Sequence, residues 1–259
     1  MSAIVWLNHA ISLKIMYISQ HSEFILTPLI RILKDSINAC RAIGTGIDSY
    51  PMGEYLMQSS FLKMTGAQEQ KMKCICWELA TLDYDYRYEF LNKNKYGEYS
   101  SYKCKNEIFK DLVKIIRKKV SSFELSSLID QPFCTNLLNE IDNLYCNSVL
   151  SVWQSREYLF YKENYSKEFD FNELKYPPHA NYLFQQVLID KYEHVVYKHR
   201  NRCAHNTLSY QVNKPDLSVL SDSNFGYNSY FFRFAILVLI DEIFMKVFQK
   251  YIELIHDSI

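Results

Sequence analysis

The stretch Val187–Asn206, VLIDKYEHVVYKHRNRCAHN, decides how the chain is read. At about 100° per residue, Leu188, Tyr192, Val195, Val196, His199 and Cys203 fall on one side of a helix. That side is mostly apolar, which predicts packing into a helical bundle with His199 as a core histidine. The opposite side carries His194, Lys198, Asn201 and His205, spaced four, three and four. Asn201 and His205 are therefore neighbours one turn apart, within side-chain reach. Arg200 lies about 140° round from His205 and reaches back along its long stem.

Working outward, the chain offers few places to turn. Only 6 Gly and 6 Pro occur in 259 residues, so the elements between them are long, which favours helices over a many-stranded sheet. The pattern predicts helices over 4–20 and 23–43, then a break at Gly44-Thr45-Gly46 and Tyr50-Pro51-Met52-Gly53. A short helix over 54–64 ends near Gly66, and a longer one runs over 68–91. The polar segment Asn92–Ser101 is a candidate boundary between an N-terminal helical extension, 1–100, either separate or packed into the same domain, and a bundle over 101–259 that carries the stretch. Tyr102–Val120 is amphipathic, with Ile108, Leu112, Ile115 and Ile116 on one side and Lys103, Lys110, Lys114, Arg117, Lys118 and Lys119 on the other. That basic side reads as a solvated face. A helix over 132–161 starts with Pro132 at its first position, where the missing N–H is harmless.

Ser166–Asn181, with Pro177-Pro178, is a second boundary, and the central stretch belongs to a helix over 182–206. A polar link over 207–227 leads to a final helix over 228–256, apolar almost all round in its first half. Such a helix is expected at the centre, packed on several sides. The link begins beside His205 and is expected to border any cleft there. The fold class read from this pattern is all-α.

Composition limits the function. Lys+Arg and Asp+Glu both number 29, so no global positive field advertises nucleic acid and an RNA site must be a local patch. Seven cysteines without a repeated CxxC read as buried fillers in a reducing compartment. Cys74 and Cys76 point apart on a helix and read as structural; Asp83 and Arg87 read as a surface pair. The apolar start, Met1–Ile18, lacks a basic leader region, and Phe231–Ile240 is too short to span a bilayer. A cytoplasmic protein is the expectation.

The spacing Arg200-Asn201-x-x-x-His205, on an amphipathic helix followed by a second long apolar one, resembles the signature of the HEPN superfamily. Members are all-helical, and many are metal-independent ribonucleases. The resemblance covers roughly residues 130–256. It implies a HEPN-like up-and-down bundle, here with additional N-terminal helices, that cleaves RNA without metal or other cofactor. It further implies a two-fold homodimer whose motif helices face each other across one cleft. Phage defence, abortive infection or a toxin–antitoxin pair, with an antitoxin or other protein partner, is the implied setting. Toxin members of the toxin–antitoxin branch often carry Tyr two residues after the His; this chain has Thr207.

The residue types suit that chemistry. A 2′-hydroxyl must lose a proton as it attacks phosphorus, and the leaving 5′-oxygen must gain one; imidazole does either near neutral pH. A guanidinium fork matches the phosphoryl oxygens and keeps its proton. The expected roles are His205 as general acid/base, Arg200 as phosphate clamp and Asn201 as orienting hydrogen-bonder. Lys198, Arg202 and His194 are the expected secondary RNA contacts. The competing readings are an Arg200 ion-paired to Glu193 or Asp241, a His205 satisfied at a helix end, and a non-catalytic module that binds RNA, nucleotide or protein.

Overall fold

The scarcity of glycine and proline is realised as helix after helix, with no strand among the described residues. The computed structural model describes residues 19–41, 43, 44, 46, 49–92, 97–204 and 228–256. In chain order these form α1 (Gln20–Ile25), α2 (Ile30–Cys40), α3 (Tyr50–Leu82), α4 (Tyr84–Asn92), α5 (Tyr102–Lys119), α6 (Gln131–Cys146) and α7 (Leu150–Trp153). There follow α8 (Ser155–Glu168), α9 (Phe171–Leu174), α10 (Gln186–Lys191), a π-helical turn over Tyr192–Tyr197, α11 (Lys198–Ala204) and α12 (Tyr230–His256). The helix expected over 4–20 and the link over 207–227 lie largely or wholly outside the described residues.

The last helix is the axis of the core. Phe231, Phe234, Ala235, Leu237, Val238, Leu239 and Ile240 are all fully buried. α12 touches α3, α5, α6, α8 and the π turn, so its apolar surface is covered from several sides. Each large side chain buried this way contributes about 1.5–3 kcal/mol. Tyr145 packs edge-on against Phe231 at 4.9 Å and donates its hydroxyl to the Phe231 carbonyl at 3.0 Å, which satisfies a buried phenol. Buried residues from the first hundred positions, among them Leu33 and Phe61, join the same core cluster as Ile108 and Phe234.

α3 corrects the expected breaks: residues 50–82 are one helix. Pro51 lies in its first turn, where a missing N–H costs nothing. Gly53 leaves room for Trp153, since a Cβ there would sit 2.6 Å from the indole Cε3. Gly66 is an exposed mid-helix residue with nothing within 4 Å of its Cβ position. Its propensity cost of about 1 kcal/mol is outweighed by the buried stripe Met57, Phe61, Met64, Met72, Ile75 and Leu79 on either side. Gln68 lies between them and donates to the Leu237 carbonyl at 3.1 Å.

The helix expected over 68–91 is instead divided at Asp83, whose extended backbone frees its Oδ1 to accept from Tyr86 N–H at 2.8 Å and start α4. Arg87 turns away from Asp83, donating to the carbonyls of Ala80 and Thr81, while Asp83 meets Lys118 at 3.3 Å. The expected helix over 132–161 also breaks. Ser148 donates its hydroxyl to the Tyr145 carbonyl and Asn147 its amide to that of Asn143, a local alternative to the helical ladder.

One buried ion pair joins three parts of the core. Lys71 Nζ of α3 lies 2.6 Å from Asp241 Oδ1 of α12. The second Asp241 oxygen accepts from Leu29 N–H at 2.7 Å, at the entrance to α2. Burial opposes both charges, pushing Asp241 up and Lys71 down.

Candidate functional site

The central stretch runs through α10, the π turn and α11, starting at Gln186 rather than at 182. Its inner side is laid down as the periodicity requires: Leu188, Tyr192, Val195 and Val196 are buried. The π turn departs from that simple period. A wider i→i+5 turn shifts the following residues round the axis and disturbs the carbonyl ladder. Arg233 of α12 donates its Nε to the Val195 carbonyl at 3.0 Å, inside this turn. Its guanidinium lies 5.2 Å from the Tyr230 ring centre, and burial lowers its pKa to about 10.

His199 is half-buried at the edge of the core rather than inside it. Its ring lies 5.1 Å from that of Phe61, with Nε2 3.2 Å from the Tyr230 hydroxyl and 3.4 Å from the Cys203 thiol. Burial, reinforced by Arg233 and Arg202, lowers its pKa to about 2, so the ring is neutral at physiological pH.

The outer side carries the polar groups. His194, Lys198 and Arg202 are exposed, and Lys198 Nζ sits 2.9 Å from His194 Nδ1. An ammonium can only donate, so Nδ1 accepts and the imidazole carries its proton on Nε2. Asn201 is partly exposed, and its Oδ1 accepts from Arg200 Nη1 at 3.0 Å.

Arg200 itself is ion-paired, though not to Glu193 or Asp241. Its Nη2 lies 2.8 Å from Glu69 Oε1 of α3, and its Nη1 3.5 Å from Glu98 Oε1 on the segment before α5. Glu193 instead accepts from Tyr102 N–H at 3.3 Å, at the start of α5, and Asp241 holds Lys71. No protein-family model, curated protein or solved structure matches this chain.

Beneath Arg200 lies a second cation. Lys105 of α5 is buried, donates to the Tyr99 carbonyl at 2.7 Å and stands 5.6 Å from the centre of the Tyr192 ring. Burial lowers its pKa to about 8, partly offset by Glu69. Tyr192 donates its hydroxyl to the Ser100 carbonyl at 2.5 Å, and Tyr197 donates to Glu98 Oε2 at 2.8 Å. The segment 97–101 is thus fastened along the helix that carries Arg200.

The structure brings His194 next to Lys198, and Arg200 next to Asn201, Glu69 and Glu98. Arg202 stands exposed on the same helix. His205 and Asn206 lie outside the described residues. Glu69, Glu98, Lys105 and Arg233 carried no signal in the sequence: Glu69 and Glu98 are 131 and 102 positions from Arg200. Of the basic side of α5, Lys110 pairs with Glu107, Lys118 with Asp83 and Asp85, and Arg117 with backbone carbonyls. This fits a solvated face better than a nucleic-acid track. Among the described residues no helix is long and apolar enough to cross a membrane.

Proposed function

We propose that the protein is a HEPN-type endoribonuclease that cleaves RNA through attack of a 2′-hydroxyl, without a metal ion. The observation that carries this reading is the display of Arg200 and Asn201 in contact, with Lys198, His194 and Arg202 exposed on the same short run of helix. A clamp for phosphate needs a cation held in one place, and Glu69 holds this guanidinium from behind at 2.8 Å. Arg200 neutralises the charge that grows on the phosphoryl oxygens, Asn201 fixes the guanidinium, and His205 moves the proton. Lys198, Arg202 and His194 bind the flanking backbone. In-line attack places acid and base on opposite sides of phosphorus, so a second copy of the chain supplies the second imidazole in a closed two-fold dimer. Phage defence or a toxin–antitoxin pair is the setting in which such an activity fits.

The test is cleavage of single-stranded RNA in the presence of EDTA by wild type and by His205→Ala. The expected result is chelator-insensitive cutting to 2′,3′-cyclic phosphate ends, lost in the variant. Arg200→Ala is expected to abolish cutting likewise and to relieve any toxicity on expression. A second reading, a non-catalytic module that binds RNA, nucleotide or a protein, is favoured by the pairing of Arg200 with two carboxylates of its own chain. Equal RNA binding by wild type and His205→Ala with no cutting by either would select it.

A further inference from the structure

The two carboxylates on Arg200 differ in standing. Glu69 holds Nη2 at 2.8 Å, and both side chains are 18 % exposed. Glu98 reaches Nη1 only at 3.5 Å and is 48 % exposed. Glu69 projects from the long helix α3 and is mostly buried there, in the shorter of the two contacts. Glu98 belongs to the irregular segment before α5, fastened to the Arg200 helix through the Ser100 carbonyl and through Tyr197. Tyr197 and Arg200 are three residues apart, so Glu98 spans one turn of the outward side and shares Arg200 Nη1 with the Asn201 carboxamide, which lies closer at 3.0 Å.

A phosphate approaching Arg200 therefore meets one cation between two anions. A bidentate contact that uses Nη1 has to displace Glu98 from it. The long, half-exposed contact is the one that yields. An exposed pair of this kind shifts an equilibrium by no more than about five-fold, so a phosphate fork can displace it.

We propose that Glu98 is a built-in competitor of the RNA phosphate for Arg200, and that Glu69 stays in place as the positioning residue of the clamp. This inference rests on reading Arg200 as the phosphate contact of an RNA-cleaving site. On displacement, the Glu98 carboxylate keeps the Ser100 and Tyr197 hydroxyls and exchanges the guanidinium for water. The site is self-covered when empty and is uncovered by its own substrate.

The test uses the full chain and two probes. One is a mixed-sequence set of short 2′-O-methyl RNA strands, which bind but lack the attacking hydroxyl; the other is the same set as ordinary RNA. Glu98→Gln is expected to tighten binding of the 2′-O-methyl strands by about two- to five-fold. In an Arg200→Ala background the same change is expected to have no effect. Glu69→Gln is expected to leave that binding within about two-fold but to lower kcat on ordinary RNA by roughly ten- to hundred-fold, because the guanidinium is no longer held in line. Glu69→Asp should restore part of that loss, with far-ultraviolet circular dichroism showing that both variants are folded at the assay temperature. Unchanged or weaker binding by Glu98→Gln overturns the competitor role, as does equal tightening without Arg200, which would report only general charge. Glu69→Gln with unchanged kcat overturns the positioning role. In each of these cases Arg200-dependent cutting would leave the ribonuclease reading standing. If wild type neither cuts ordinary RNA nor binds either probe through Arg200, that reading fails and this inference falls with it.

Discussion

Asp241→Asn is expected to cost about 3–5 kcal/mol of folding stability, because it leaves the Lys71 ammonium buried without its counter-charge. Lys71 and Asp241 side chains are 3 % and 1 % exposed, and they meet at 2.6 Å. Water cannot take over the lost partner at such a site. Asn can still accept from Leu29 N–H, so the variant isolates the charge from the hydrogen bond that holds the entrance of α2. For a chain of this length about 2 °C of midpoint shift accompanies each kcal/mol, so the midpoint should fall by roughly 6–10 °C. Urea titration followed by far-ultraviolet circular dichroism, with thermal melts alongside, measures both. The double variant Lys71→Met/Asp241→Leu removes both charges, and it should recover most of the loss, since well-packed apolar pairs often equal a buried ion pair. A cost below about 1 kcal/mol for Asp241→Asn would refute the claim that this pair is dry and uncompensated. A double variant as unstable as the sum of the singles would refute it equally.

The remaining predictions concern single groups. His199 titrates at about 2 when folded, against 6.5 as a free side chain, so the unfolded chain takes up a proton below pH 6.5 that the folded chain refuses. Stability present above pH 6.5 should therefore be lost on acidification, by up to about 1.4 kcal/mol per pH unit from this group, and His199→Gln should flatten the slope between pH 6.5 and 4.5. Two glycines of α3 should respond oppositely to the same change. Gly66→Ala, with nothing within 4 Å, should stabilise by about 0.5–1 kcal/mol. Gly53→Ala, with Trp153 at 2.6 Å, should destabilise by about 1–3 kcal/mol; equal effects in denaturant titrations would contradict the packing described here.

Local pattern was enough to read the all-helical class and the centrality of α12. It also set the inward side of the 186–204 helix, with Leu188, Tyr192, Val195 and Val196 buried and His199 half-buried on the same side. Those properties depend on which residues share a face, and a period of 3.6 is written into neighbouring positions. The continuity of α3 through Pro51, Gly53 and Gly66 was decided elsewhere. Each apparent breaker costs about 1 kcal/mol or less at its position, and the buried stripe beside it returns more than that. The π turn that aims Arg200, the Arg233 bond to its carbonyl, and the choice of Glu69 and Glu98 over Glu193 and Asp241 belong to the tertiary structure. A carboxylate 131 positions away becomes a partner only when packing brings its helix alongside, and one turn of helix decides which acid arrives.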